Sequence, residues 1–170
     1  MTLDAFNALP DERAAEALTA CCGAHRWVAA MIGSRPFTSV DALVAAANDR
    51  WGETNESDWR EAFDHHPRIG ESRSVRTQGH RATAWSAGEQ SQAASADGQI
   101  KQELAEVNAA YETRFGHIYI VCAAGRSAGE LLAMAHSRMR NDSATELRVA
   151  AEEQRKITEL RLRKLISEAT

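Results

Sequence analysis

The sequence predicts an all-α fold: a single-domain helical bundle with one short extended segment near 118–123. Three observations lead there. Only three prolines occur in 170 residues, so few positions forbid a helix from continuing. Alanine and leucine, both strong helix formers, are abundant, and apolar side chains recur at 3.6-residue spacing along most of the chain. The single strand-like run, Ile118-Tyr119-Ile120-Val121-Cys122-Ala123, is β-branched and aromatic but too short to make a sheet by itself. No internal repeat, low-complexity tract or linker divides residues 1–170, so one domain is expected.

Taken in order, a short helix is expected over Leu3 to Leu9. A second starts at Pro10, a residue suited to a first helical turn, and its apolar positions run through Ala14, Ala17, Leu18 and Cys21. Trp27, Ala30 and Met31 carry a further turn or two before the Ser34-Arg35-Pro36 break. Thr38-Ser39-Val40-Asp41 resembles a cap before Leu43, Val44, Ala47 and Trp51, with Gly52 closing that helix. Ser57-Asp58 is read as the cap of the next helix, whose apolar face is Trp59, Ala62 and Phe63 and which ends at His65-His66-Pro67. From Gly70 to about Ala82 the sequence is polar and aperiodic, which reads as a loop. Ser86-Ala87-Gly88-Glu89-Gln90 is read as the start of another helix. Ile100, Leu104, Val107 and Tyr111 stripe a long helix ending near Gly116. Ser127 opens a helix containing Leu131, Leu132 and Met134. Ser143-Ala144-Thr145-Glu146 has the form of a capping box for a last helix reaching about Ser167.

Composition excludes several classes. A chain that is 44% apolar and 26% charged, with net charge -4, has the balance of a globular protein and lacks the strongly basic face of a nucleic-acid binder. No run of 18 apolar residues predicts a membrane span. Met1-Thr2-Leu3-Asp4-Ala5-Phe6 lacks the basic-then-apolar pattern of a signal peptide, and Ser167-Glu168-Ala169-Thr170 is not a peroxisomal address. Cys21, Cys22 and Cys122 form no CxxC and are expected as reduced thiols, with Cys122 packed in its apolar run. A cytoplasmic location is the expectation.

Chemistry is concentrated in His65-His66-Pro67-Arg68-Ile69-Gly70. Imidazole exchanges a proton near neutral pH. Pro67 disfavours helical geometry at His66, so that ring is expected at a helix-to-loop break. Catalysis and simple helix-end capping both suit such a pair. Ser86 and Glu89 have capping-box spacing; free N–H groups at a helix start would also bind an anion, with Glu89 and Gln90 adding an acceptor and an amide. Arg161 shares a helix face with Leu147, Ala150, Gln154, Ile157 and Leu165, which is mostly apolar. A guanidinium there must either snorkel to water or find an anionic partner, a protein carboxylate or the carboxylate of a substrate. The histidines have no metal-ligand spacing, and no nucleotide fingerprint is present, so neither a metal nor a nucleotide cofactor is expected.

Together, His66-Pro67-Arg68-Ile69-Gly70, Ser86-Ala87-Gly88-Glu89-Gln90, Phe115-Gly116 before the Tyr119-to-Ala123 run, and Arg161-Leu162 resemble the family of OHCU (2-oxo-4-hydroxy-4-carboxy-5-ureidoimidazoline) decarboxylases. That family converts OHCU to (S)-allantoin in urate breakdown, and the resemblance follows the chain in order over nearly its whole length. It implies an all-α homodimer acting on OHCU without metal or organic cofactor. It also implies residue roles. His66 matches the catalytic histidine, and Glu89 is expected to share in catalysis. Pro67 packs beside the substrate. Ser86, Ala87, Gly88, Glu89 and Gln90 match the stretch that holds its ring and ureido group. Tyr119, Ile120, Val121, Cys122 and Ala123 match a segment whose backbone borders it, and Arg161 contacts it from the last helix. His117-Ile118 departs from the family pattern, which has an aromatic residue and a proline after the Phe-Gly. The alternative reading is a non-catalytic helical interaction module whose histidine and arginine are structural.

Overall fold

Helix starts and stops in this chain follow its local chemistry closely. A computed structural model describes residues 1–69, 80–89 and 98–167. Among the described residues there are nine α-helices and no β-strand. In chain order they are α1 (Leu3–Asn7), α2 (Asp11–Cys21), α3 (His25–Gly33), α4 (Val40–Gly52), α5 (Glu56–Asp64), α6 (His80–Glu89), α7 (Gly98–Phe115), α8 (Ala128–Arg138) and α9 (Ser143–Ser167). The all-α expectation is met, and no helix is long and apolar enough to cross a membrane among the described residues.

The chain divides into two compact units. The first comprises Met1–Ala62 and the chain from Arg155 onward. Within it α2 packs on α3 and α3 on α4. Its fully buried side chains include Phe6, Leu18, Trp27, Met31, Leu43, Leu162 and Leu165. Trp27 satisfies its indole N–H by donating to the Ala47 carbonyl at 3.0 Å. Asn7 and the Phe37 backbone exchange two hydrogen bonds of 2.8 and 2.9 Å, tying the end of α1 to the loop before α4.

The second unit runs from Phe63 to Gln154. Its core joins Ile69, then Leu104, Val107, Tyr111 and Phe115 of α7, Tyr119, Val121 and Ala123 of the following segment, and Ala128, Leu131 and Ala135 of α8. α7 packs on α8. Gly116 ends α7 with φ +71, the left-handed conformation that glycine adopts most cheaply.

Three local expectations are corrected. The cap of α5 is Asn55, whose Oδ1 accepts from the Ser57 and Asp58 N–H groups at 2.9 and 3.4 Å while Asp58 accepts from Asn55 N–H at 3.0 Å. The cap of α9 is Asp142, which accepts from the Thr145 N–H at 2.9 Å and its hydroxyl at 2.7 Å, because Glu146 is drawn into the interior. Ser86 does not start a helix: α6 begins at His80, inside the stretch expected as a loop. Of that stretch, residues 70–79 lie outside the described residues. The 118–123 run is non-helical and pairs with no strand among the described residues, as expected of a single short extended segment.

Candidate active site

His66 sits on the turn that ends α5. Its backbone N–H donates to the Phe63 carbonyl at 3.0 Å, closing the last turn before Pro67 stops the helix. His65, His66 and Pro67 are half-buried. The residues after them are pinned to α7. Arg68 grips Glu112 with two guanidinium bonds, the Nη2 bond being 2.8 Å. The Asn108 amide donates to the buried Ile69 carbonyl at 2.9 Å. A cavity of about 260 Å³ opens here, lined by Arg68, Ile69, Lys101, Asn108 and Glu112 among others. None of the site residues expected from sequence lines it.

His117 takes the place of an aromatic residue physically as well as in the motif. Its ring lies 5.2 Å from Phe63, 5.4 Å from Tyr111 and 6.3 Å from Phe115. Its Nδ1 faces the Ile118 carbonyl at 3.0 Å, and since a carbonyl only accepts, that nitrogen carries the proton. The departure from the family pattern thus preserves a flat ring in the aromatic cluster behind the His66 turn.

On α6, Ser86 is buried and Glu89 half-buried, one turn apart on one face. Ala87 and Gly88 are exposed. Because Ser86 lies inside the helix and not at its start, the backbone N–H groups around it are not the free donors of a helix N-terminus. The anion-site and capping-box readings of Ser86 and Glu89 both fall. Gln90 lies outside the described residues.

The Ile118–Ala123 segment is held by side chains along one edge. The Ile118 carbonyl faces His117, the Ile120 carbonyl accepts from Arg138 Nη1 at 2.7 Å, and the Cys122 carbonyl accepts from Arg126 Nε at 3.1 Å. Cys122 N–H donates to Glu153 at 2.8 Å. All these groups belong to even-numbered residues, the alternation of an extended chain. The N–H and C=O groups of Tyr119 and Val121 therefore belong to the opposite edge. They make no hydrogen bond among the described residues. Of the expected Ile120-to-Cys122 contacts, Val121, itself buried, is the residue whose backbone carries no hydrogen bond among the described residues. Burial raises the Cys122 thiol above its usual pKa, and the carboxylates of Glu153 and Glu89 add to the effect. Glu89 thus acts electrostatically on this segment. Tyr119 is buried, its hydroxyl donates to the Leu131 carbonyl at 3.2 Å, and burial pushes its pKa up to about 12.

His66, Pro67, Ser86 to Glu89 and Tyr119 to Ala123 all fall in the second unit. Arg161 belongs to the first, where it is 2% exposed and donates to the Ala20 carbonyl at 3.3 Å. Beside it the Cys22 thiol is pushed up to about 12, chiefly by burial, against the lowering effect of the Arg161 charge.

Sequence reasoning missed Arg138, Glu146 and Glu153. The signal was there: Leu131, Ala135 and Arg138 share one face of α8, and Glu146, Ala150 and Glu153 one face of α9, and all six are buried. Among the described residues no three histidine, cysteine or acidic side chains gather to hold a metal ion.

Comparison with known proteins covers the same ground. The family model described as OHCU decarboxylase matches residues 7–163. The uric acid degradation bifunctional protein TTL of Arabidopsis thaliana is 42% identical over 149 residues, 87% of this chain and 46% of that protein. The 2-oxo-4-hydroxy-4-carboxy-5-ureidoimidazoline decarboxylase of Amia calva is 37% identical over 86 residues, 49% of each chain. This chain therefore spans about half the length of those two relatives. A crystal structure of OHCU decarboxylase in the presence of (S)-allantoin superimposes with TM-score 0.77 at 37% identity, covering 94% of this chain and all of that one.

Proposed function

The chain belongs to the OHCU decarboxylase family, and on that footing we propose that it decarboxylates OHCU to (S)-allantoin in urate breakdown. The observation that carries the reading is the second unit's arrangement. His66 is fixed at a helix end, Ser86 is buried with Glu89 half-buried on the same face, and the Glu89 charge acts on a segment whose Tyr119 and Val121 backbone groups carry no hydrogen bond among the described residues.

The chemistry needs little more. The departing carboxylate stands on a carbon next to a ring C=N. As the bond to CO2 breaks, its electron pair moves between the two ring carbons and the C=N pair moves onto nitrogen, which takes a proton. The resulting enol then loses its hydroxyl proton and gains one on the neighbouring carbon, giving allantoin. Because the substrate is its own electron sink, the protein has only to orient, stabilise and move protons. His66 is the acid–base group at the hydroxyl and carboxylate end. Glu89 orients the ring or ureido N–H groups and shares in proton delivery. Pro67 packs against the ring. Gln90, the backbone from Ile120 through Val121 to Cys122, and Arg161 fix the remaining polar groups, with Val121 the strongest backbone candidate, while Ser86, Ala87, Gly88, Tyr119 and Ala123 border the substrate.

We further propose that residues 1–170 act as one domain, and that the protein is a cytoplasmic homodimer using neither metal nor organic cofactor. The test is direct. Added to freshly generated OHCU, the protein should give rapid optical activity of one enantiomer; a slow racemic appearance, as without protein, would reject the reading.

A further inference from the structure

We propose that Arg138 is a positioning residue for catalysis, one that sets which backbone edge of the Ile118–Ala123 segment is offered to substrate. This rests on the reading of that segment as a border of the substrate site.

Arg138 is the last residue of α8 and 7% exposed, and its partner Glu146 is 0% exposed. Nε donates to Glu146 at 2.7 Å and Nη2 approaches the Tyr111 hydroxyl at 3.2 Å. Glu146 also accepts from the Tyr111 hydroxyl and from the Asn141 amide, the latter at 2.7 Å. The guanidinium carbon lies 4.8 Å from the centre of the Tyr119 ring and 5.8 Å from that of Tyr111. Burying two charges costs heavily in desolvation, and an apolar pair of similar volume often serves stability as well or better. Stability alone is thus a weak reason for this pair. What an apolar pair could not do is hold the Ile120 carbonyl at 2.7 Å.

The guanidinium is planar and its donors point in fixed directions. With Nε on Glu146 and the plane beside two rings, Nη1 can address one place only, and the Ile120 carbonyl is there. That bond, with Glu153 on Cys122 N–H and Arg126 on the Cys122 carbonyl, anchors the even-numbered edge. A one-residue rotation of an extended chain exchanges its two edges. Arg138 therefore keeps the Tyr119 and Val121 backbone groups on the edge that carries no hydrogen bond among the described residues.

Three variants separate positioning from support. Arg138→Lys keeps the charge but loses the fork. The double variant Arg138→Met/Glu146→Leu leaves no unpaired buried charge and carries the test if Arg138→Lys does not fold. Tyr111→Phe weakens the same network but leaves the Ile120 bond. In the first two, measured well below Tm, faster amide hydrogen exchange is expected at Cys122, whose N–H donates to Glu153, with kcat on OHCU lowered roughly tenfold to a hundredfold, as for a small misplacement of a binding group. Tyr111→Phe should lower Tm while kcat/KM stays at the parent value. Unchanged exchange, or folded variants with parental kcat/KM, would overturn the proposal, as would a Tyr111→Phe loss as large as that of Arg138→Lys. Should the parent itself fail to turn over OHCU, the functional reading falls, and hydrogen exchange alone still decides whether Arg138 holds the segment.

Discussion

At the scale of single residues, the informative positions are charges set on apolar helix faces. Arg161 announces itself this way, since the residues one turn before and after it, Ile157 and Leu165, are both buried. The same rule applied to Leu131, Ala135 and Arg138 points to a second buried guanidinium. It is masked because a basic residue in the last turn of a helix also suits the helix dipole. Glu146 is masked for a related reason: Ser143-x-x-Glu146 has capping-box spacing. Only partners distant in sequence, Tyr111 and Arg138, decide that the carboxylate turns inward. Ser86 errs the other way, since capping-box spacing suggests a helix start where the chain has a helix interior. Arg161→Ala should raise KM for OHCU by roughly tenfold to a hundredfold, the range of a lost hydrogen bond to a charged group. If KM holds while Tm drops, Arg161 serves the fold alone.

At the scale of elements, boundaries were legible to within a turn wherever a short polar side chain precedes an apolar stripe. Ser39 and Ser127 cap as expected, and Ser127 completes a capping box with Glu130. Where several such residues stand together, as in Asn55 to Asp58 and Asp142 to Glu146, the first one captured the backbone. The start of α6 was not legible because its first residues are polar and carry no apolar period. The box at α8 makes a measurable prediction. Ser127 donates to Glu130 from both its N–H and its hydroxyl, holding that carboxyl below the usual 4.5. A carboxylate whose folded pKa is depressed contributes stability above its unfolded value and loses it as pH falls through the folded one. Ser127→Ala removes the side-chain cap and one of these two bonds, and should lower Tm at neutral pH. By thermal melts, its Tm deficit should shrink as pH falls below about 4.5. A deficit constant from pH 6 to 3 would mean that the Glu130 bond contributes nothing.

At the scale of the whole molecule, the all-α expectation followed from helical periodicity that runs through both compact units. The 118–123 run kept its non-helical character without a sheet, because side chains of α8, α9 and the Arg126 turn take the place of a partner strand. That substitution cannot be read from local pattern, since it depends on residues up to 31 positions away. Light scattering should give a mass about twice 18.6 kDa, and prolonged dialysis against EDTA should leave turnover unchanged; a monomer, or activity restored only by added metal, would contradict those proposals. The central claim is that His66 moves the protons. It is tested most directly by single-turnover decarboxylation of OHCU with His66→Asn, after circular dichroism shows the fold retained. The rate should fall by roughly a factor of 100 to 10,000, the usual contribution of general acid–base catalysis. A folded variant that releases CO2 at the parent rate would contradict the account.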